Sequence, residues 1–452
     1  MNGYTHSAKH TSVDLTEGPI LPELISFALP LMLGQVFQNL YNSVDSIIAG
    51  NFVGVTALAA ITTCADIARL LTGFFTGLAA GAGVVFARYF GAKKENDLHR
   101  SIHTALTFAI QLGLFMMTVG IVFSPALLRL VRCTEDVFGE ALVYLRLYLV
   151  GILFTSLYNV GAAVLRSVGD SRTPFNVLVA SSLLNVVLDF LFIVAIPMGV
   201  AGAALATILS QALSVAIVAV KMLRTTDVYR LVPKDLTIDA AYLRDIVLLG
   251  IPSAIQTGLI AFSNLFVQRY VNGFGTAAMA GTGIGKKIDA YVGLVAVSFG
   301  QAMTTFAGQC MGAGKKERAR KGLRLSLLLN FGLLIVIGIP VYFFAEPVAR
   351  LFTPDAGAIA FGITMVRILI PLYGFQVLMQ ILSNTLRGFG HSLYAMVTTT
   401  TGLIVCRQIY LAIAMRISHD IRLVYLGWPV GWFFAFLFSF ICYLFLVVKK
   451  DG

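Results

Sequence analysis

The sequence predicts an all-α membrane protein of twelve transmembrane helices arranged as two parallel six-helix repeats. Three observations predict it: a composition too apolar for a soluble fold, twelve apolar stretches of bilayer-crossing length, and local patterns that recur about 221 positions apart.

Of the 452 residues, 58% are hydrophobic and 12% charged, against roughly 45–50% and about 25% in an ordinary globular protein. So few charges cannot cover a soluble surface of this size. The 42 glycines and 33 phenylalanines, set among Leu, Ile, Val and Ala runs, suit helices that pack closely in lipid. A net charge of +11 then reads as an orientation signal. Nucleic-acid binding would need basic and aromatic residues gathered on one soluble face, and the chain has no such domain. Cys64, Cys133, Cys310, Cys406 and Cys442 are odd in number and lack a CxxC pair, which excludes a disulfide framework and a zinc motif. The histidines His6, His10, His99, His103, His391 and His419 show no spacing suited to a metal. The first twenty residues lack the apolar core and cleavage site of a signal peptide, so the amino terminus is expected to be retained.

About twenty apolar residues cross a bilayer core of roughly 30 Å. Breaks rich in charge, Gly or Pro bracket such segments near 21–48, 56–86, 103–131, 141–165, 174–197 and 200–222. A second set follows near 244–271, 283–311, 323–345, 360–386, 393–415 and 424–447. Alternate turns collect most of the Lys and Arg, including Arg88, Lys93, Lys94, Arg166, Lys221, Lys315, Arg318 and Arg387. The opposite turns hold few, among them Arg129, Lys286, Lys287 and Arg350. The positive-inside rule puts both termini in the cytoplasm, and the expected location is the inner (plasma) membrane.

Three matches establish the repeat. Phe86-Ala87 followed by Gly91-Ala92 and a Lys-Lys-Glu run returns as Phe306-Ala307, Gly312-Ala313 and another such run. Leu165-Arg166 with Gly169 and Ser171 returns 221 positions later at Leu386, Arg387, Gly390 and Ser392. Pro30 with Asn42 returns 222 positions later as Pro252 with Asn264. Six spans per repeat are an even number, so both halves enter and leave on one side, the arrangement of parallel repeats that enclose a transport pathway. The domains are therefore a first lobe, 1–222, a cytoplasmic linker, 223–243, and a second lobe, 244–452.

An acid inside a membrane is a functional hypothesis by default. Asp45 and Asp189 are the two that carry most weight. Gln35, Gln38, Asn42 and Asp45 form one helical stripe that lipid would not tolerate. Asn185 lies one turn from Asp189; Thr207 and Gln211 mark a stripe in the sixth span; Tyr144 and Tyr148 begin the fourth. At 1.5 Å per residue, Asp45, Asp189 and Thr207 fall about 8–12 Å below the outer helix ends. Such oxygens suit either a small hard cation or a proton shared between carboxylates, while Asn185, Tyr144 and Thr207 equally fit interhelical hydrogen bonding. Asp66 and Arg69, three apart in the second span, fit a water-facing ion pair. GTGIGKK at 281–287 lacks the spacing and the Ser or Thr of a phosphate loop, so the energy source is an ion gradient.

The stretch LPLMLGQVFQNLYNSVDSIIAGNFVGVTALAA (29–60), the repeated GA turns, the two LRxxG segments and GAALATILSQ resemble the multidrug and toxic compound extrusion (MATE) family over nearly the whole chain. The resemblance implies a V-shaped pair of six-helix bundles and a secondary antiporter. It would function as a monomer and export small organic, often cationic, compounds in exchange for Na+ or H+, with no cofactor and no enzymatic step. Asp45, Asn185, Asp189, Tyr144 and Thr207 match the first-lobe coupling site of DinF-type and archaeal members, with Na+ expected at Asp45, Asn185, Asp189 and Thr207 where sodium is the ion. Gln35, Gln38, Asn42, Tyr148 and Gln211 are substrate-cavity candidates, and Pro30 and Pro252 the hinges. The second-lobe site looks incomplete, because Ile260 stands where NorM-type members carry a glutamate and the nearest acids are Asp245 and Asp289. The alternative is a flippase for lipid-linked oligosaccharides or peptidoglycan precursors.

Overall fold

The computed structural model describes residues 13–52, 55–131 and 133–448; the side chains of 41–52, 55–58 and 66 lie outside that description. Twelve helical spans among these residues are long and apolar enough to cross a membrane, and no strand occurs among them. In order the helices are α1 (Ile20–Phe52), α2 (Val55–Gly91), α3 (Glu95–Leu130), α4 (Glu135–Ser167), α5 (Arg172–Asp189), α6 (Val200–Arg224), α7 (Ala240–Asn272), α8 (Thr276–Gly312), α9 (Lys316–Phe343), α10 (Ala345–Arg350), α11 (Ala356–Gly388), α12 (Ser392–Thr400), α13 (Arg407–Ile417) and α14 (Ile421–Tyr443). Wide π turns extend α5 through Phe190–Ala195 and join α12 to α13 through Thr401–Cys406. Three helices are capped by aspartates: Asp239, Asp355 and Asp420 accept from the backbone N–H groups of Ala241, Ala358 and Arg422 at 2.9, 2.7 and 2.8 Å.

Helices α1–α6 come from the first repeat of the sequence and α7–α14 from the second. The share of each span buried in protein fixes its place: α8 is 78% buried and runs through the middle, whereas α3 and α9 are each 17% buried and line the rim. Phe115, Val122 and Phe123 of α3 and Ile335, Val336 and Ile339 of α9 are exposed there, as side chains bathed in lipid should be.

The lobes meet through small residues. A Cβ on Gly77 would lie 2.5 Å from the Ala254 backbone, and one on Gly81 would overlap Gly250, so α2 and α7 touch main chain to main chain. At the basic end the contact is reciprocal. A side chain on Gly91 would run into the Gln309 carbonyl, and one on Gly312 into the Arg88 carbonyl. Gly91 and Gly312 are 221 positions apart, as are Arg88 and Gln309, so α2 and α8 cross on the axis that relates the two repeats.

A strap of backbone from Val13 to Gly18 passes beneath this crossing. Val13 N–H donates to Val168 O (2.9 Å) on the first lobe, and Leu15 N–H donates to Gln309 Oε1 (2.9 Å) on the second. Gln309 Nε2 returns to Ser167 O of the first lobe (2.7 Å). Arg318 donates to the carbonyls of Leu15 (3.0 Å), Glu17 and Gly18 (2.8 Å) and pairs with Glu23 at 2.8 Å. Leu15 is fully buried. Among the described residues, the tightest glycine contacts of α2 with α7 and α8 lie toward the basic turns.

After α6 the chain folds back on the first lobe. Val232 N–H donates to His103 Nε2 (2.9 Å), Asp235 meets His99 Nε2 (2.9 Å), and Arg100 pairs with Asp239 (2.5 Å). His99, His103 and Asp235 thus offer ligand atoms within 4.8 Å of one another, which corrects the reading that no histidines share a metal-like arrangement. The third member lies more than a hundred residues away in sequence. Both ring nitrogens of His103 are already engaged, Nδ1 with His99 O (2.7 Å) and Nε2 with Val232, so the cluster acts as a clamp on the linker.

Candidate functional site

In the first lobe α5 packs between α1 and α6. Its inward face carries the adjacent Ser181 and Ser182 and then Asn185 and Asp189, the last three of these spaced three and four residues apart as one helical face requires. Asp189 is completely buried and Asn185 is 3% exposed. Asn185 Oδ1 has no hydrogen-bond partner among the described residues. Asp189 is the last residue before the π turn Phe190–Ala195, a distortion that recurs at functional sites because it re-aims side chains and frees backbone groups. A carboxylate sealed from water must bind a proton or a cation, or be met by donors. An unsatisfied amide oxygen one turn away is the complement of either.

Elsewhere in the first lobe a polar ladder runs between α2, α4 and α6. Tyr148 OH and Thr72 Oγ1 are 3.1 Å apart, Thr155 Oγ1 donates to Gln211 Oε1 (2.9 Å), and Thr76 Oγ1 to Asn159 Oδ1 (3.4 Å). Tyr144 stacks on Tyr148 with ring centroids 6.2 Å apart. Thr207 turns its hydroxyl to its own helix, donating to Ala203 O at 3.0 Å. Gln35 and Gln38 are half-buried on α1. Asp45, Asn42 and Asp66 lie outside the described side chains, while Arg69 is exposed on α2. Pro30 and Pro252 sit inside α1 and α7, where each removes a backbone hydrogen bond and favours a bend.

The second lobe differs from its reading in sequence. Lys286 and Lys287 do not belong to a turn, and Asp289 does not begin a span: α8 starts at Thr276, so all three lie ten or more residues inside it. Asp289 accepts a short hydrogen bond from Tyr373 OH, whose ring packs 5.1 Å from that of Trp432. Lys286 Nζ donates to Gln268 Oε1 (2.7 Å) and lies 5.9 Å from the Trp428 ring centre. Arg407, 2% exposed, donates to Ser263 Oγ (2.6 Å). The signal that could have located Lys286 is the Asn-Gly-Phe-Gly turn at 272–275, a helix stop and start that precedes it by a full three turns. Arg387, counted from the sequence among the cations of the basic turns, donates to Asn384 Oδ1 (3.0 Å) and Gln256 Oε1 (2.9 Å).

The MatE family model matches residues 30–191 and again 252–413, once in each lobe, and together these matches span most of the chain. The chain belongs to the MatE family. Among curated proteins, this MATE transporter is 28% identical to the probable multidrug resistance protein YoeA of Bacillus subtilis over 94% of both chains. It is 28% identical to the probable multidrug resistance protein NorM of Thermotoga maritima over 91% of this chain and 89% of that one. A solved structure described as the outward-facing conformation of a multidrug resistance MATE family transporter superposes with a TM-score of 0.92 at 23% identity, covering 98% and 99% of the two chains. These relatives favour multidrug efflux over the flippase alternative. The MATE fold explains the lobes: each houses one copy of the repeat, and each surrounds its own polar interior.

Proposed function

We propose that this multi-pass membrane protein is a cation- or proton-coupled antiporter that exports small organic compounds by alternating access, without a catalytic step or cofactor. The observation that carries the coupling role is Asp189, fully buried on α5 beside the unsatisfied Oδ1 of Asn185. A carboxylate there has very different energies in its charged and neutralised states. Binding a proton or Na+ shifts the population between two packings of the first lobe, because only a ligand with different affinity for the two states can do so. Asp45 is the second proposed carboxylate of this site. Asn185, Thr207 and Tyr144 complete it, with Na+ held by Asp45, Asn185, Asp189 and Thr207 if sodium is the coupling ion.

The remainder of the first-lobe interior, Gln35, Gln38, Asn42, Tyr148 and Gln211, is proposed to face the exported compound, and Pro30 and Pro252 to act as hinges between the packings. The basic turns support an orientation with both termini in the cytoplasm, and the proposed setting is a monomer surrounded by lipid in the inner (plasma) membrane. The sealed end of the molecule is then cytoplasmic and the cleft opens outward. Expression of Asp189→Asn and Asp45→Asn in a drug-sensitive host tests the reading: both should lose resistance while remaining folded in the membrane, and normal resistance in both refutes it.

A further inference from the structure

We propose that the interior of the second lobe binds an organic oxyanion, a carboxylate or phosphate carried on an aromatic group, and that the exported compounds include anionic aromatics. This rests on the efflux reading and specifies its substrate class.

The argument begins with charge. Arg407 is 2% exposed at the start of α13, directly after the π turn Thr401–Cys406. Its protein partner is a hydroxyl, Ser263 Oγ at 2.6 Å, and its Nε has no hydrogen-bond partner among the described residues. No carboxylate lies within ion-pairing distance of it among those residues. Lys286 is within electrostatic reach of both Arg407 and Asp289, yet its own hydrogen bond goes to the neutral amide of Gln268. Asp289 in turn is held by the Tyr373 hydroxyl. Within this bundle Arg407 and Lys286 both hydrogen-bond neutral groups, and the nearby acid Asp289 is held by a tyrosine hydroxyl.

Neutral hydrogen bonds satisfy donors but do not cancel charge. A buried guanidinium without a counter-ion is costly, and the deficit is relieved when an anion arrives from outside. The planar guanidinium is the group best matched to a carboxylate or phosphate. The surroundings specify the rest: Trp428 lies beside Lys286 and Trp432 beside Tyr373, an aromatic neighbourhood suited to a ring-bearing ligand. The two lobes thus differ in polarity, with a buried acid in the first and a buried arginine beside a half-buried lysine in the second. A simple organic cation would be repelled by the second lobe.

The sequence contains only two tryptophans, and both border this site, so intrinsic fluorescence reports on it directly. Purified full-length protein in neutral detergent is titrated with four probes that share one ring system: 1-naphthoate, 1-naphthyl phosphate, 1-naphthylmethylammonium and 1-naphthalenemethanol. Saturable quenching by the two anions is expected, with the cation and the alcohol binding about tenfold or more weakly, as loss of a charge-assisted contact implies. Arg407→Gln should abolish the preference, and Arg407→Lys should restore part of it. Lys286→Gln, at a half-buried position whose loss leaves α8 intact, should weaken anion binding severalfold even if Arg407→Gln fails to fold. The ratio between naphthoate and naphthyl phosphate names the oxyanion. Equal binding of all four probes, no saturable quenching, or an anion preference that survives both Arg407→Gln and Lys286→Gln overturns the proposal. Since binding is read without any gradient, failure here and failure of first-lobe coupling are separate results.

Discussion

Adding one methyl group at Gly312 or Gly91 should force open the sealed end of the transporter. A Cβ on Gly312 would sit 2.8 Å from the Arg88 carbonyl carbon and 3.0 Å from Ala92 N, and closer still to the Arg88 oxygen. All three are backbone atoms, which cannot rotate aside as a flexible side chain would, so α2 and α8 must separate. Overpacking of this kind costs about 1–3 kcal/mol. Because the overlap exists only while the lobes are closed there, that cost acts on the balance between states and shifts it by about 5- to 150-fold. Cys310 is the reporter: it is fully buried at this crossing, in the same core cluster as Leu15 and Phe306. Gly312→Ala and Gly91→Ala should raise its alkylation rate by that factor, read by mass spectrometry of the Cys310 peptide. Gly332→Ala, where an added Cβ meets nothing within 4 Å, adds the same helix propensity and should change nothing. Well-folded Gly91→Ala protein in which Cys310 stays as protected as in the parent would refute the claim that this crossing seals the closed state.

Arg318→Ala removes the donors to Leu15, Glu17 and Gly18 of the Val13–Gly18 strap, leaving the bond of Lys315 Nζ to Thr16 O (3.0 Å), and should cost the closed state about 1–3 kcal/mol, seen as faster Cys310 alkylation; unchanged protection would make the strap a passive tail. His103→Ala leaves Val232 N–H without its acceptor and should speed proteolysis between 225 and 239, while cleavage at the parental rate would contradict the clamp. Pro30→Ala restores a backbone hydrogen bond within α1 and should lower turnover without lowering binding, and unaltered turnover would remove Pro30 from the hinge. In the second lobe, Arg407→Gln should abolish the preference for anionic naphthalenes.

The twelve spans were legible because lipid imposes a length and an apolarity that few residues can violate, and the repeat because Gly91 and Gly312 must stay bare for the lobes to touch. Helix α8 was misread at its start for the opposite reason. It is sheltered by protein along most of its length, so it can carry Lys286, Lys287 and Asp289 where a lipid-facing helix such as α3 could not, and its mean hydropathy is 1.3 against 2.1 for α3. The face of α5 bearing Asn185 and Asp189 follows from helical spacing alone. The strap left no mark in the sequence, since Arg318 and Lys315 hold it through backbone carbonyls that any residue supplies. The linker clamp joins residues 99 and 103 to 232 and 235, a pairing that only the folded chain reveals. The basic character of the second lobe was hidden for a related reason: Arg407 and Lys286 lie on different helices and come within reach of each other only when α13 packs inside the bundle.

The central claim is that a buried first-lobe carboxylate senses the driving gradient. It is tested most directly with purified protein in liposomes, imposing sodium and pH gradients independently and following export of a fluorescent substrate by the parent and by Asp189→Asn. The account predicts that one of the two gradients drives export by the parent and that neither accelerates it in Asp189→Asn. Gradient-driven export at the parental rate by Asp189→Asn would contradict it.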